Sequence, residues 1–372
     1  MKIAVYANEV VRQGESGVKT YSLEIIKHLL QIDSKNEYTL YCRKDISKKL
    51  APQKAKIIVA GSKKRFWAFS VFAPRVKADR PDVIFVPLQT FPFLILPKDK
   101  PKIVITVHDV AFLYFPEHFT FVRRQILKMH TKRAVKFADM IIVPSEATKT
   151  DIIRFYGIRE DKIKVIYHGS SLKLLESGKK NDPRVAGLSG MRPYILFVGT
   201  VQPRKNIARL VQAFNMLKST GKYSHKLIIC GGKGWLYHKI FAEIGRSAFR
   251  EDIVVVGAVG NDLLASLYVD AALFVMPSLY EGFGLPILEA MSFGVPVVCA
   301  DNSSLSEIAD GAAVLADGYN VEDICRKMEM VLDNKDLQEE LSQKGIARVK
   351  DFSWNKAAAE TLKTLESVIS AE

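Results

Sequence analysis

Residues 277–300 read PSLYEGFGLPILEAMSFGVPVVCA: the end of an apolar strand, a glycine-bearing turn, a helical run, another glycine and a second apolar strand. Extended runs separated by a helical periodicity, with turn residues at each junction, are the signature of a βαβ unit. Pro286 suits the first turn of the helix, where its missing N–H removes no bond. The backbone N–H groups of Phe283, Gly284 and Leu285 then point out of the helix N-terminus, where an anion such as a diphosphate is favoured. Glu281 precedes the turn and Glu289 follows within the helix, so both carboxylates can serve one ligand. Carboxylates in that position accept hydrogen bonds from sugar or ribose hydroxyls. The plainer alternative makes Glu281 a loop charge and Glu289 a partner of the helix dipole.

The same alternation extends outward in both directions. Towards the N-terminus of this block lie YILFVG, KLIICG, IVVVG and AALFVMP, each followed by a helical pattern, with PVVCA closing the series. An earlier series comprises KIAVYA, YTLYC, KIIVA, DVIFVP, KIVITV, DMIIVP and KVIY. Two runs of strand–helix repeats predict an α/β protein with two doubly wound parallel sheets. Residues 168–192, rich in Gly, Ser, Lys and Asp and without periodicity, read as the linker between them. The expected division is an N-terminal domain over 1–175, a C-terminal domain over 190–352 and a helix over 353–372 that packs back on the first domain. A length of 372 residues agrees with two cores rather than one.

Ligands of open α/β sheets bind at the carboxyl ends of strands. FVGTVQPRKNIARLVQAF, residues 197–214, delivers Arg204 and Lys205 to such an end, as two cations suited to a diphosphate; a solvated turn would carry the same pair. KLIICGGKGW places Gly232 after the next strand, and IVVVGAVG places Val259 after the one beyond. GKGWLY has Tyr237 where a dinucleotide fingerprint needs its third glycine, which argues against a dehydrogenase. In the first half KIVITV delivers His108 and Asp109, with Asp109 placed to orient the histidine. His108 is either a substrate contact or a histidine satisfied by backbone. The loop after KIAVYA holds Gly14 and Gly17. No D-x-D, H-E-x-x-H or Walker pattern occurs, so no metal site or resident cofactor is expected.

Hydrophobic residues at 48% and charged residues at 25% describe a globular enzyme and exclude a disordered chain. Four widely spaced cysteines, Cys42, Cys230, Cys299 and Cys325, fit a reducing compartment. MKIAVYANEV enters a strand-like run directly and lacks the apolar stretch of a signal peptide, so a cytoplasmic location is expected. The formal charge of +14 is uneven: residues 1–180 hold 34 Lys and Arg against 17 Asp and Glu, and the remainder 20 against 23. An anionic partner for the first half is implied, either a nucleic acid or an anionic membrane surface. A basic nucleic-acid-binding module would explain that charge but not the Glu281–Glu289 block.

With EGFGLPILEAM, PRKN at 203–206, HDV at 108–110, GESGVKTY at 14–21 and FSW before the terminal helix, the chain resembles family four of the retaining glycosyltransferases over nearly its whole length. That resemblance implies the GT-B fold, two Rossmann-like doubly wound domains facing a central cleft. It implies that Arg204 and Lys205 hold the diphosphate of a nucleotide-sugar donor, and that Glu289 binds the ribose. Glu281 and the Phe283–Leu285 backbone would hold the transferred sugar, the backbone near Val259 would read the base, and Gly17 would admit the phosphates. His108 would contact the hexose. Many relatives carry arginine where this chain has Thr200, which leaves the division of labour between Arg204 and Lys205 open. GKGWLY together with PSLYEGFGLPILEAM is similar to the mannosyltransferase branch that uses GDP-mannose, with UDP-glucose or another nucleotide sugar as the alternative donor and a sugar-nucleotide epimerase as the alternative enzyme. The implied acceptor is a glycan or a lipid-linked saccharide, and no nucleic acid is then expected.

A lipid-linked acceptor would give the basic half its purpose at the inner face of the cell membrane. Lys63, Lys64, Arg65 and Trp67 mark one basic aromatic segment, with Phe66, Phe69 and Phe72; Arg123, Arg124 and Lys128 mark another, flanked by Phe112, Tyr114, Phe115, Phe119, Phe121, Lys132, Arg133 and Lys136. Aromatic rings at the headgroup boundary with cations beside them are what a peripheral docking surface needs.

Overall fold

Every run read above as a strand is one, and each pairs only in parallel. Lys2–Tyr6 (β1), Glu37–Cys42 (β2), Ala55–Val59 (β3), Val83–Val86 (β4), Lys102–Thr106 (β5), Met140–Val143 (β6) and Ile163–Val165 (β7) form one sheet. Its order is β3-β2-β1-β4-β5-β6-β7. Tyr194–Val198 (β8), Lys226–Cys230 (β9), Ile253–Gly257 (β10), Leu273–Met276 (β11), Val297–Ala300 (β12) and Val314–Ala316 (β13) form the second, in the order β10-β9-β8-β11-β12-β13. The computed structural model describes residues 1–11, 16–50, 55–59, 67, 71–89, 101–170 and 176–370. Strands such as VIFV of β4 and VVCA of β12 are buried throughout, as expected of parallel strands covered by helices on both faces.

Both sheets reverse direction of winding once, between β1 and β4 and between β8 and β11. At such a switch the connections leaving two adjacent strands diverge and open a crevice at their carboxyl ends.

The chain divides into two compact units: residues 1–114, 121–169 and 353–372, and residues 115–120 with 170–352. In the first unit helix Gly17–Ile32 begins at Ser16, whose Oγ accepts from the Lys19 N–H at 3.3 Å. Its apolar face of Tyr21, Ile25, Ile26 and Leu29 packs against Ala357, Ala358, Leu365 and Val368 of helix Trp354–Ser370 in one core with Ile3, Val5 and Leu40. Thr361 and Thr364 enter that helix's buried side because their hydroxyls bond back to the carbonyls of Ala357 and Glu360, each at 2.7 Å. The second core gathers Phe197, Leu210, Phe214, Leu217, Val275 and Met328.

Three features depart from the sequence reading. The stretch 168–192 contains helix Pro183–Ser189, capped by Asp182, whose side chain accepts from the Arg184 N–H. Residues 115–120 associate with the second unit although both neighbouring segments belong to the first. Strand β13 is absent from the sequence reading, because the three residues Val314–Ala316 inside GAAVLADG are fewer than the run that marks a strand.

Candidate active site

Strand β8 ends in a turn, Pro203–Lys205, that leads into helix Ile207–Ser219. Asn206 joins them in the left-handed conformation, φ 59°, and its amide nitrogen donates to the carbonyls of Pro277 at 2.9 Å and Gly318 at 2.6 Å. The turn after β8 is thereby tied to the segment after β11, its neighbour at the switch. The Leu279 N–H donates to the Arg204 carbonyl at 2.9 Å, and Arg204 Nη1 donates to the Tyr280 carbonyl.

Three charges meet in this crevice. Arg204 Nη1 lies 2.9 Å from Glu281 Oε2, and Lys205 Nζ lies 2.7 Å from Glu281 Oε1, with all three side chains buried. Burial opposes ionisation of Glu281, but Arg204 and Lys205 outweigh it and hold its pKa at about 2. Two cations against one carboxylate leave a surplus positive charge at a strand-end crevice. The Glu281 loop is itself held by the next helix: its N–H donates to Ser303 Oγ at 2.9 Å, and Ser304 Oγ donates to the carbonyls of Glu281 at 3.0 Å and Phe283 at 2.9 Å.

Helix Leu285–Ser292 starts beside this cluster at Gly284, with no side chain capping it and Pro286 in its first turn. Gly284 has φ 106°, and a Cβ there would stand 3.0 Å from Leu305 Cδ2, so only glycine allows this entry. Glu289 is half-buried further along the helix; burial raises its pKa, and the Tyr268 hydroxyl donates to its Oε2 at 2.8 Å. On the other side of β8, Gly231 allows a close approach of backbones: a Cβ there would meet the Gly199 carbonyl oxygen at 2.0 Å. The Val201 N–H donates to the Gly232 carbonyl at 2.9 Å, which puts Gly232 on the loop bonded to the one that carries Arg204. Val259 is half-buried on the turn between β10 and helix Asn261–Val269.

The second unit thus gathers Arg204, Lys205 and Glu281 into one cluster, with Phe283, Gly284 and Leu285 at the adjoining helix start and Glu289 on that helix. Sequence reasoning missed their supports, Asn206, Tyr268, Ser303 and Ser304, because hydroxyls and amides that bond across loops leave no pattern along the chain. It also missed His118. The segment containing His118 lies on the second unit, where Trp235 Nε1 donates to the His118 carbonyl and Phe119 packs on Trp235 with centroids 5.4 Å apart. Burial, aided by the positive charges of Arg204 and Arg209, lowers the His118 pKa.

In the first unit Gly17 opens helix Gly17–Ile32 after β1; Gly14, Lys63, Lys64, Arg65, Phe66 and Phe69 lie outside the described residues. His108 follows β5 and is buried. Its Nε2 donates to the Pro87 carbonyl at 3.0 Å, which leaves Nδ1 as the acceptor nitrogen. Burial lowers its pKa, so the ring is neutral near pH 7. The orienting partner is therefore the Pro87 carbonyl and not Asp109, whose Oδ1 accepts from the Ala111 N–H at 3.2 Å at the start of the next helix. His108 also belongs to an aromatic cluster with Tyr21, His168 and Trp354, meeting Tyr21 edge-on.

The first basic aromatic segment needs correction. Trp67 is wholly buried, packed on Tyr6 and Phe72, so it cannot enter a lipid headgroup region. Phe112 is likewise in the core. In helix Phe121–Phe137, by contrast, Arg123 and Lys128 are exposed and Arg124 is half-buried, with Phe121 and Val122 72% and 67% exposed. Among the described residues no helix is long and apolar enough to cross a membrane.

Two family models match: "Glycosyltransferase Family 4" over residues 16–173 and "Glycosyl transferases group 1" over residues 178–348. The chain is 29% identical to the O-antigen chain mannosyltransferase B of Escherichia coli over 97% of this chain and 98% of that protein. Sucrose-phosphate synthase from Thermosynechococcus elongatus superposes with a TM-score of 0.80 over 100% of both chains at 19% identity. HepE of Anabaena in complex with UDP-glucose superposes with a TM-score of 0.76 over 98% of this chain and 100% of that one, also at 19% identity. At those identities the structural likeness establishes the fold. The sheet order, the strand-end cluster and the two successive family matches agree, and the chain belongs to the glycosyltransferases of the GT-B fold, a family 4 module followed by a group 1 module.

Proposed function

We propose that this glycosyltransferase takes mannose from GDP-mannose and transfers it, with retention and without a metal ion, to a glycan or lipid-linked acceptor at the inner face of the cell membrane. The observation that carries this reading is the buried Arg204–Lys205–Glu281 cluster beside an uncapped helix start. An entering diphosphate competes with Glu281 for the two cations, and the displaced carboxylate is free to accept from sugar hydroxyls. Glu289 accepts from the ribose, the backbone near Val259 reads the base, and His108 Nδ1 accepts from a substrate hydroxyl. As the glycosidic bond to the diphosphate breaks, negative charge grows on the leaving oxygen, and Arg204, Lys205 and the helix N-terminus stabilise it. No second carboxylate is placed as a nucleophile in this scheme, so retention proceeds on one face of the sugar, with the departing diphosphate taking the acceptor proton.

Mannose is favoured by the likeness to the O-antigen chain mannosyltransferase. The second reading, a UDP-glucose donor, is favoured by the HepE complex. Incubation with membrane extract and either labelled donor decides between them: incorporation from GDP-mannose alone is expected, and incorporation from UDP-glucose alone sinks the first reading. Proton NMR of the product gives the anomeric configuration, and activity surviving EDTA is the expected result for a metal-free reaction.

The membrane part rests on helix Phe121–Phe137, where exposed apolar residues stand among Arg123, Arg124 and Lys128. Such a helix lies in an interface with its apolar side towards the acyl boundary.

A further inference from the structure

Helix Phe121–Phe137, helix Glu146–Tyr156 and the turn after the second border a cavity of about 740 Å3 in the first unit, open on one side. That lies within the ~300–1,000 Å3 typical of small-molecule sites. One wall is a ridge of cations, Arg124, Lys128, Lys132 and Lys136, spaced four residues apart and so stacked along one side of the helix. Like charges at that spacing repel and weaken a helix. No Asp or Glu lines the cavity, and none of the four cations has an acidic partner among the described residues.

The opposite wall supplies Tyr156. Its hydroxyl and Arg124 Nε are buried, and neither has a hydrogen-bond partner among the described residues. A buried donor without a partner is costly, and two of them on residues that line one cavity, beside the exposed ammonium groups of Lys128, Lys132 and Lys136, suit an acceptor-rich anion. Phosphate oxygens match that donor set.

Two apolar features separate a lipid phosphate from a free one. Leu113, Val135, Phe155 and Ile158 complete the lining, giving an esterified phosphate's carbon end a surface to rest on. On the outer side of the same helix Val122, Ile126 and Met129, at i, i+4 and i+7, are all exposed. A free anion needs neither surface, whereas a headgroup anchored in a membrane needs both.

We infer that this cavity is a binding site for the phosphate headgroup of an anionic membrane lipid. The inference rests on the membrane part of the proposed function and deepens it, from a charged surface to a shaped site.

The test uses the full chain and soluble dioctanoyl phosphatidic acid below its micelle concentration, with binding followed by calorimetry. One-to-one saturable binding is expected, with inorganic phosphate at least tenfold weaker, roughly the step that 1.4 kcal/mol represents. Lys128→Ala combined with Lys132→Ala should weaken lipid binding by about tenfold or more, each lost cation being a charge-assisted contact. Tyr156→Phe, which removes a single oxygen and keeps the packing, should weaken it by roughly threefold to tenfold if that hydroxyl donates to the phosphate. Unchanged thermal midpoints certify that the variants fold. Undiminished binding in both variants overturns the site, and inorganic phosphate binding as tightly as the lipid overturns its assignment to lipid. Phosphatidylcholine vesicles with and without phosphatidic acid separate the two levels of the argument. Binding to anionic vesicles without binding of the soluble lipid ends the site but not the surface reading, while failure to bind anionic vesicles ends the membrane reading itself.

Discussion

Glu281 spends its charge twice. In the cluster it pairs with both Arg204 and Lys205, and on the proposed reading it is released when a diphosphate takes its place. Removing a proposed diphosphate contact or the proposed ribose contact is informative. Lys205→Ala and Glu289→Ala should each weaken GDP binding by roughly 1.5–3 kcal/mol, the worth of a hydrogen bond to a charged group. Calorimetric titration with GDP checks this, and unchanged affinity in both variants removes the assignment. His108→Ala should lower turnover more than donor affinity, read by product formation at saturating donor; wild-type turnover would return His108 to a packing role against Tyr21 and His168. The same histidines give a pH dependence. Burial lowers the pKa of His108, and burial together with the charge of His108 lowers that of His168 well below the ordinary 6.5. The unfolded chain therefore takes up protons before the native one as pH falls below about 6.5, and stability is lost in that direction. Thermal midpoints from pH 8 down to pH 5 should fall, and His168→Phe, which keeps a ring against Trp354, should flatten part of that slope. Parallel slopes for the two proteins would contradict it.

Among elements, helix Trp354–Ser370 completes the first unit's core from the far end of the chain. Leu365 is fully buried against helix Gly17–Ile32, and Leu365→Ala should cost about 2–5 kcal/mol. Urea unfolding should register that loss; a cost under about 1 kcal/mol would mean that the interface collapses around the cavity. This helix is legible in the sequence because Ala357, Ala358, Leu362, Leu365 and Val368 recur at helical spacing, and the strands are legible because each is a short β-branched run ended by a turn residue. Legibility failed where structure depends on partners remote in sequence. Trp67 looks like a membrane anchor among Lys and Arg until Tyr6 and Phe72 cover it. Residues 115–120 give no local reason to leave the unit that flanks them. In the site, charged residues at strand ends announced themselves, whereas Tyr268 and Ser303 acquire meaning only through the bonds they make to Glu289 and Glu281.

For the whole molecule the telling property is the separation of charge, 34 cations against 17 carboxylates before residue 181 and 20 against 23 after it. A basic half opposite an anionic leaflet gains ~1 kcal/mol per cation near the surface, and the gain fades as salt shortens the Debye length from ~10 Å at 0.1 M towards ~3 Å at 1 M. Co-sedimentation with anionic vesicles should therefore be strong at low salt, weaken steeply on adding sodium chloride, and be negligible with neutral vesicles. Equal pelleting with both vesicle types would assign the exposed residues of helix Phe121–Phe137 to some other purpose.

Because residues 354–370 complete the core around Tyr21, Ile25 and Leu29, the order of synthesis matters. The ribosome releases residues 1–169 first, yet the helix that covers them emerges only after all of residues 170–352, a contiguous stretch that can assemble in the meantime. At ~5–20 residues per second the wait is roughly 10–40 s. The half made first is thus the half finished last, and throughout that interval its uncovered apolar helix face is a target for chaperones or for another nascent copy.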